Sequence, residues 1–310
     1  MIYTVTLNPA IDKTVQIPRF CPGEVNRVQA VREDAGGKGI NVSKCLKALG
    51  TASAAAVLLA GPTGQQHENM LAQEGLQLLP VQAQGQTRTN LKIVDGVCGK
   101  NTDINEPGPQ VGANVLQTLL DSLCAKLQPG DIVVLSGSLP MGAPRDTYRR
   151  WTEKFRTLGV RVLLDADGEA MAEGVKGMPY MVKPNETELA RLLGQPMEQE
   201  EQIIAGGKAL LKMGISNAVI SLGGAGALFC WEDAVYRAEG LSVPVQSTVG
   251  AGDSVVAAMA YAMEKNLSRE ESIALAMAMG AASVMQSGSQ APNMDTVAKL
   301  AKQVKIQKRQ

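Results

Sequence analysis

Short apolar runs alternate with longer stretches of helical period along almost the whole chain. The runs at residues 2–7, 55–59, 132–136, 161–165, 180–183, 218–222 and 227–231 predict strands. The stretches at 39–49, 65–74, 113–127, 145–158, 186–193, 201–213, 252–265 and 269–286 predict helices. The strands are nearly all apolar instead of alternating, so both of their faces must be buried. Interleaved with helices, they predict an α/β fold with a mostly parallel sheet covered on both sides. Two segments break this rhythm. Residues 11–32 carry Pro18, Pro22 and Gly23 among alternating residues, and residues 86–105 carry an apolar run that ends in Asp95-Gly96, a hairpin signal. Both are too short to hold a second core. They predict a small β appendage over one end of the sheet, within one domain covering residues 1–310.

Composition narrows the function classes. With 310 residues the chain can bury a large core, and aromatics are only 3%, so Ala, Leu, Val and Met must fill it. Lys plus Arg equals Asp plus Glu at 30 each, which leaves no cationic surplus for nucleic acid or an anionic membrane. The one histidine, His67, rules out a multi-histidine metal site, and any Ser-His-Asp triad would have to use it. Its setting, Gly64-Gln65-Gln66-His67-Glu68, reads as an exposed helix start. Cys21, Cys45, Cys98, Cys124 and Cys230 are odd in number and contain no C-x-x-C pair, so a disulfide framework is not expected and a reducing cytoplasm is. Residues 1–7 read as a first strand and not as a signal peptide. The charge-free stretch at 272–294 reads as a buried helix followed by a loop, and the basic tail from Lys299 to Arg309 as a solvated helix face.

The strongest chemical signal is Ser247-Thr248-Val249-Gly250-Ala251-Gly252-Asp253-Ser254, directly before an apolar helix. Gly250 and Gly252 allow a tight turn with exposed amides, and the helix adds four free N–H groups and its positive end. That combination suits an anion. The same field is expected to keep the Asp253 carboxylate ionised, ready to accept a proton from an attacking hydroxyl. An ordinary glycine turn before a helix would show the same spacing. Gly36-Gly37-Lys38-Gly39-Ile40-Asn41 would let a ligand approach the backbone, with Lys38 and Asn41 as hydrogen-bond donors, or it is a flexible loop opening a helix. Asp12 follows the first strand, where parallel sheets bind ligands and a carboxylate can hold sugar hydroxyls. Asn185 and Glu188 fit a capping box, and equally an amide and carboxylate near Mg²⁺. Arg88 suits a substrate phosphate, with Arg27 as a weaker candidate. Neither G-x-x-x-x-G-K-[ST] nor G-x-G-x-x-G occurs, so a P-loop NTPase and a standard dinucleotide oxidoreductase lose their support.

Taken in order, these motifs resemble the PfkB family of carbohydrate kinases, within the ribokinase-like fold. The resemblance is carried by Thr4-Val5-Thr6-Leu7-Asn8-Pro9-Ala10, Gly36-Gly37-Lys38-Gly39-Ile40-Asn41-Val42, Gly85-Gln86-Thr87-Arg88, Ser136-Gly137-Ser138-Leu139-Pro140, Val182-Lys183-Pro184-Asn185, Ser221-Leu222-Gly223 and Thr248-Val249-Gly250-Ala251-Gly252-Asp253-Ser254. It implies a three-layer α/β/α sandwich with a mostly parallel central sheet, a β lid built from about residues 11–32 and 86–105, and ATP with Mg²⁺ as cofactors. Asp253 is implied as general base, and Gly250, Ala251 and Gly252 as the anion hole for the transferring phosphoryl group. Ser221, Gly223, Gly226, Lys183 and Asn185 are implied on the nucleotide side, and Glu188 toward Mg²⁺, directly or through water. Asp12, Gly37, Lys38, Asn41, Asn90 and Ser138 are implied in the sugar site. Arg88 is implied at the substrate phosphate, and Arg27 as reaching across from a second subunit of a homodimer joined through the lid. Many ribokinase-like members carry Asp where this chain has Ser247, so strong K⁺ activation is not expected.

The motifs are most similar to the branch that contains the 1-phosphofructokinases and tagatose-6-phosphate kinases. The implied reaction is phosphorylation of a ketohexose monophosphate, fructose 1-phosphate at O6 or, as the alternative, tagatose 6-phosphate at O1. A non-catalytic sugar-phosphate sensor on the same fold would need neither Asp253 nor the anion loop.

Overall fold

The computed structural model describes residues 1–309. In chain order its elements are β1 (Ile2–Thr6), β2 (Ala10–Ile17), β3 (Ala30–Gly36), α1 (Lys38–Ala48), β4 (Ser53–Ala60), α2 (Gly61–Gln73), β5 (Gln77–Ala83), β6 (Arg88–Asp95) and β7 (Asn101–Asn105). There follow α3 (Ala113–Cys124), β8 (Ile132–Ser136), α4 (Thr147–Thr157), β9 (Arg161–Asp165), α5 (Gly168–Gly174), β10 (Met181–Val182), α6 (Glu186–Leu193), α7 (Glu200–Lys212) and β11 (Asn217–Ser221). The chain closes with β12 (Gly226–Trp231), β13 (Ala234–Glu239), α8 (Ala251–Lys265), α9 (Arg269–Val284), α10 (Met294–Ala301) and β14 (Ile306–Lys308).

Ten strands form one sheet in the order β14-β13-β12-β11-β10-β9-β8-β1-β4-β5. From β5 to β11 every neighbour is parallel, and β12, β13 and β14 extend that edge antiparallel. Successive residues of the central strands bury against opposite layers. In β8, Val133 and Leu135 join a core with α3, α4 and α7, while Ile132 and Val134 join one with α1, α8 and α9. Burial on both sides is why these strands are apolar throughout. A second, four-stranded sheet has the order β3-β2-β6-β7 and is assembled from the two segments that break the rhythm.

All the expected strands and helices form, with ends shifted by a few residues. The hairpin at Asp95-Gly96 also forms, but its turn runs from 96 to 100, and the Asp95 carboxylate accepts the N–H groups of Val97 and Cys98. Two expectations are corrected. The basic tail is not a continuous helix. α10 stops at Ala301, and Ile306–Lys308 pair with β13, because an open sheet edge offers backbone partners that a lysine-rich segment can cover without further aggregation. His67 is not exposed but fully buried. Pro62 in the first turn starts α2 earlier than the polar pattern indicates, so His67 lies mid-helix against the second sheet's root. There its Nε2 lies 2.9 Å from the Gly36 carbonyl oxygen, and burial pushes its pKa down to about 4, so the ring is neutral and Nε2–H donates. Among the described residues no helix is long and apolar enough to cross a membrane.

Candidate active site

The second sheet covers the carboxyl ends of the parallel strands, and a cavity of about 460 Å³ lies between them. Two helices open into it. α1 begins after Gly37 and α8 after Gly250, and both glycines, with Lys38, Gly252 and Asp253, line the cavity. Gly250 adopts φ 81, a left-handed conformation that lets the chain turn into α8, whose first amide, that of Ala251, donates to the Thr248 carbonyl at 3.5 Å. A side chain at Gly252 would stand 3.0 Å from the Lys183 ammonium nitrogen, so glycine there admits that cation to the helix mouth. α1 and α8 pack side by side. Asn41 Nδ2 donates to Asp253 Oδ2 at 2.8 Å, and Cys45 Sγ meets Ser254 Oγ at 3.3 Å. These contacts hold Asp253 at the third helical position of α8, facing the cavity and not bulk water.

Behind Asp253 lies Asp165, the last residue of β9, with 1% exposure. Its Oδ1 is 3.3 Å from both Lys38 Nζ and Lys183 Nζ. Burial raises the Asp165 carboxyl, but the ammonium groups of Lys183 and Lys38 outweigh it and hold it below the usual carboxylate range. Burial likewise opposes the Lys38 ammonium, and Asp165, Asp253 and Glu188 together raise its pKa to about 12. Asp253 goes the other way. Burial and then the like charge of Asp165 lift it to about 6, against the pull of Lys38, Asn41 and Lys183. The helix field was expected to secure its ionised form, and burial moves its titration up to about 6, leaving the carboxylate form dominant at pH 7. A carboxylate near 6 is mostly ionised at pH 7 and a far better proton acceptor than one at 4, as general-base chemistry requires.

The second sheet supplies the far wall. Parallel pairing of β2 with β6 sets Ala10 opposite Arg88, Asp12 opposite Asn90 and Thr14 opposite Lys92, all on the cavity side. Asn90 Nδ2 donates to Asp12 Oδ1 at 2.9 Å. Burial raises the Asp12 carboxyl, opposed by the Asn90 hydrogen bond and by Arg88. Arg88 donates to the Asn8 and Glu106 carbonyls, while its buried Nε has no protein partner.

Of the residues singled out from the sequence, Asp12, Gly37, Lys38, Asn41, Arg88 and Asn90 line the cavity, as do Lys183, Asn185, Glu188, Gly250, Gly252 and Asp253. The capping box is real: Asn185 Oδ1 accepts from the Glu188 N–H and Glu188 Oε2 from the Asn185 N–H, both at 2.8 Å, with the pair still at the cavity edge. Ala251, Ser138, Ser221, Gly223 and Gly226 lie outside the lining. Ser138 is exposed and accepts from Asn8 Nδ2 at 3.3 Å. Ser221 bridges Asn185, and Gly223, at φ 56, has open space above it. Gly226 needs no ligand to explain it, since a Cβ there would fall 2.1 Å from the Ala238 carbonyl oxygen. Arg27 is exposed on the loop between β2 and β3 and does not reach the cavity of its own chain. Reading the sequence missed Asp165, Asp34, Lys92, Asp103, Asn105 and Ser289. Asp165 carried a usable signal, a carboxylate closing an apolar parallel strand where such sheets bind ligands.

A buried carboxylate, two helix mouths and two lysines facing a polar cavity suit transfer of an anionic group to a hydroxyl. A family model described as pfkB family carbohydrate kinase matches residues 5–296. The chain belongs to this family. Within the PfkB family it is 43% identical over 264 residues to the 1-phosphofructokinase of Xanthomonas campestris, covering 84% of this chain and 83% of that one. It is 38% identical over 282 residues to the 1-phosphofructokinase of Bacillus subtilis, covering 91% and 92%. The solved structure of phosphofructokinase-2 from Escherichia coli in complex with substrates and products superposes with a TM-score of 0.93 at 30% identity, over 97% of this chain and 98% of that one. This PfkB chain therefore has the ribokinase-like architecture and is a phosphotransferase acting on an alcohol group. PfkB kinases use ATP.

Proposed function

We propose that the protein transfers the γ-phosphoryl group of ATP to O6 of fructose 1-phosphate, giving fructose 1,6-bisphosphate and ADP. The observation that carries the reading is Asp253: buried at the mouth of α8, bonded to Asn41 and lifted to about 6. The substrate hydroxyl gives its proton to this carboxylate as its oxygen bonds to the γ-phosphorus, and the bond from phosphorus to the bridging oxygen breaks with its electrons leaving on ADP. Amides of Gly250 and Gly252, with Lys183, hold the charge on the moving group, while the Ala251 N–H, implied beside them, donates instead to the Thr248 carbonyl. Asp12 and Asn90 hold sugar hydroxyls, and Arg88 takes the sugar phosphate through its unpartnered Nε. Among the described residues no group of three or more acidic, His or Cys side chains is placed to hold a metal ion. Glu188 and Asn185, at the cavity edge, are the residues that would stand beside Mg²⁺. When bound, Mg²⁺ neutralises phosphate charge.

The test is a steady-state panel with Mg-ATP and fructose 1-phosphate, fructose 6-phosphate, tagatose 6-phosphate and free sugars. Highest kcat/KM with fructose 1-phosphate is expected; preference for tagatose 6-phosphate, phosphorylated at O1, would move the chain to the other branch, and tight binding without turnover would make it a sensor. Arg88→Ala is expected to raise KM for the phosphosugar by about tenfold or more and to leave KM for ATP within about twofold, because only the phosphosugar would contact it. An unchanged phosphosugar KM removes Arg88 from the site.

The second sheet also supports assembly as a homodimer through its outer face. Val25, Val28, Val31, Val97 and Ile104 on that sheet and its loops make up five of the ten exposed large hydrophobics among the described residues. A second copy would cover them and bring Arg27 to the neighbouring cavity. Val31→Asp is expected to convert dimer to monomer in light scattering after size exclusion, and wild-type protein that is monomeric at all concentrations would contradict the reading. The five free thiols suit a cytoplasmic setting.

A further inference from the structure

One side chain ties the second sheet to the far lip of the cavity. Arg32, on β3, donates through Nε to Asp34 Oδ2 at 2.8 Å and through Nη1 to Ser287 Oγ at 2.7 Å. Ser287 lies beyond α9, on the loop that also carries Gly288 and Ser289. Gly288 has φ 72, and a Cβ on it would stand 1.9 Å from Arg32 Nη2, so the guanidinium occupies the space that any side chain there would need. Asp34, Gly288 and Ser289 line the cavity. Ser289 is buried with its Oγ unpartnered, and its Cα is 3.8 Å from where a Cβ on Gly250 would be. The segment before Gly250 rests on the same place, with the Gln246 and Ser247 N–H groups donating to the Val284 carbonyl at the end of α9.

We infer that Arg32 is a positioning residue, a latch that holds the second sheet closed and, through Ser287–Ser289, holds the Gly250 turn in place for phosphoryl transfer. The planar fork matters. It serves a carboxylate and a hydroxyl through two nitrogens while the third lies against Gly288, which a single ammonium cannot do. Misplacing the Gly250 turn by about 1 Å is enough to slow transfer strongly, and an unlatched sheet admits water as a competing acceptor. The role in excluding water rests on the kinase reading above. The mechanical link between the two lips does not.

The test compares wild type, Arg32→Ala, Arg32→Lys, Gly288→Ala and the Arg32→Ala/Gly288→Ala double variant. Arg32→Ala is expected to lower kcat with fructose 1-phosphate by about tenfold and to raise the ratio of ATP hydrolysis to sugar phosphorylation by about as much. Arg32→Lys should recover little of this. Gly288→Ala should match Arg32→Ala, and the double variant should be no worse than the poorer single one, because both break one contact. Amide hydrogen exchange without substrates gives the second readout: Arg32→Ala should speed exchange both in β2 and β3 and in the loop at 285–291. Unchanged partition between hydrolysis and transfer, multiplicative effects in the double variant, or faster exchange confined to β3 would each overturn the latch. If wild type phosphorylates none of the sugars while exchange still changes at both lips, the activity reading fails and the latch stands.

Discussion

Asp253→Asn is expected to lower kcat by about 10²–10⁴-fold while leaving KM for both substrates within about threefold, since the amide keeps the shape and can still accept from Asn41 but cannot take a proton. The same substitution should make the protein more stable. A carboxyl lifted to about 6 in the folded chain binds its proton more tightly there than in the unfolded chain. As pH rises from about 4 to about 6 the unfolded carboxyl ionises first, so folding loses stability across that window and the loss is complete above it. At neutral pH the cost is on the order of 3 kcal/mol. Asparagine removes it. The variant's unfolding midpoint should therefore exceed that of wild type by a few degrees at pH 7 and match it near pH 4. Near-normal turnover would strip Asp253 of its role, and a midpoint difference that did not shrink toward pH 4 would show that burial of charge is not what Asp253 costs the fold.

Asp165→Asn should have the largest effect on stability of any single change in the cavity. It leaves the Lys183 ammonium, with a side chain only 8% exposed, and the more open Lys38 without their shared carboxylate. Breaking a buried pair by removing one partner costs about 3–5 kcal/mol, most of it here at Lys183, because Lys38 retains solvent. The substitution also reaches Asp253. The charge of Asp165 is second only to burial in raising that group, and it masks the two lysines. Without it Asp253 ionises more readily. In wild type, kcat/KM should fall on the acid side with a midpoint near 6, and in Asp165→Asn that limb should move to lower pH. Urea unfolding and a pH profile measured on the folded variant separate the two effects. An acid limb that stayed in place would mean that Asp165 does not act on the base.

Much of this was legible in the order of residues. The apolar runs at β1, β8, β9 and β11 announced strands buried on both faces, because a sheet covered by helices leaves no polar side to alternate. Gly250 and Gly252 announced the tight entry into α8 at the cavity, because a left-handed turn and the close approach of Lys183 both need residues without a side chain. Asn185 and Glu188 announced a helix start, because each completes the other's hydrogen bond along three residues of chain. Such signals are local, and local chemistry is written in adjacent positions.

What remained hidden depended on distance along the chain. His67 looks polar and exposed within α2, yet it faces Gly36, 31 residues away. Gly226 has a second reason to be glycine that its motif does not show, the Ala238 carbonyl that excludes a side chain there. Arg32 looks like one charge in an alternating strand, and only the fold sets it against Ser287, 255 residues later. Helix and strand period, turn chemistry and the family's motifs were thus determined by the sequence itself, since each rests on neighbours a few residues apart. The proton affinity of Asp253 was decided by tertiary structure alone, because it comes from water removed by packing and from the charges of Asp165 on β9, Lys183 just after β10 and Lys38 on α1, which the chain brings together only when folded.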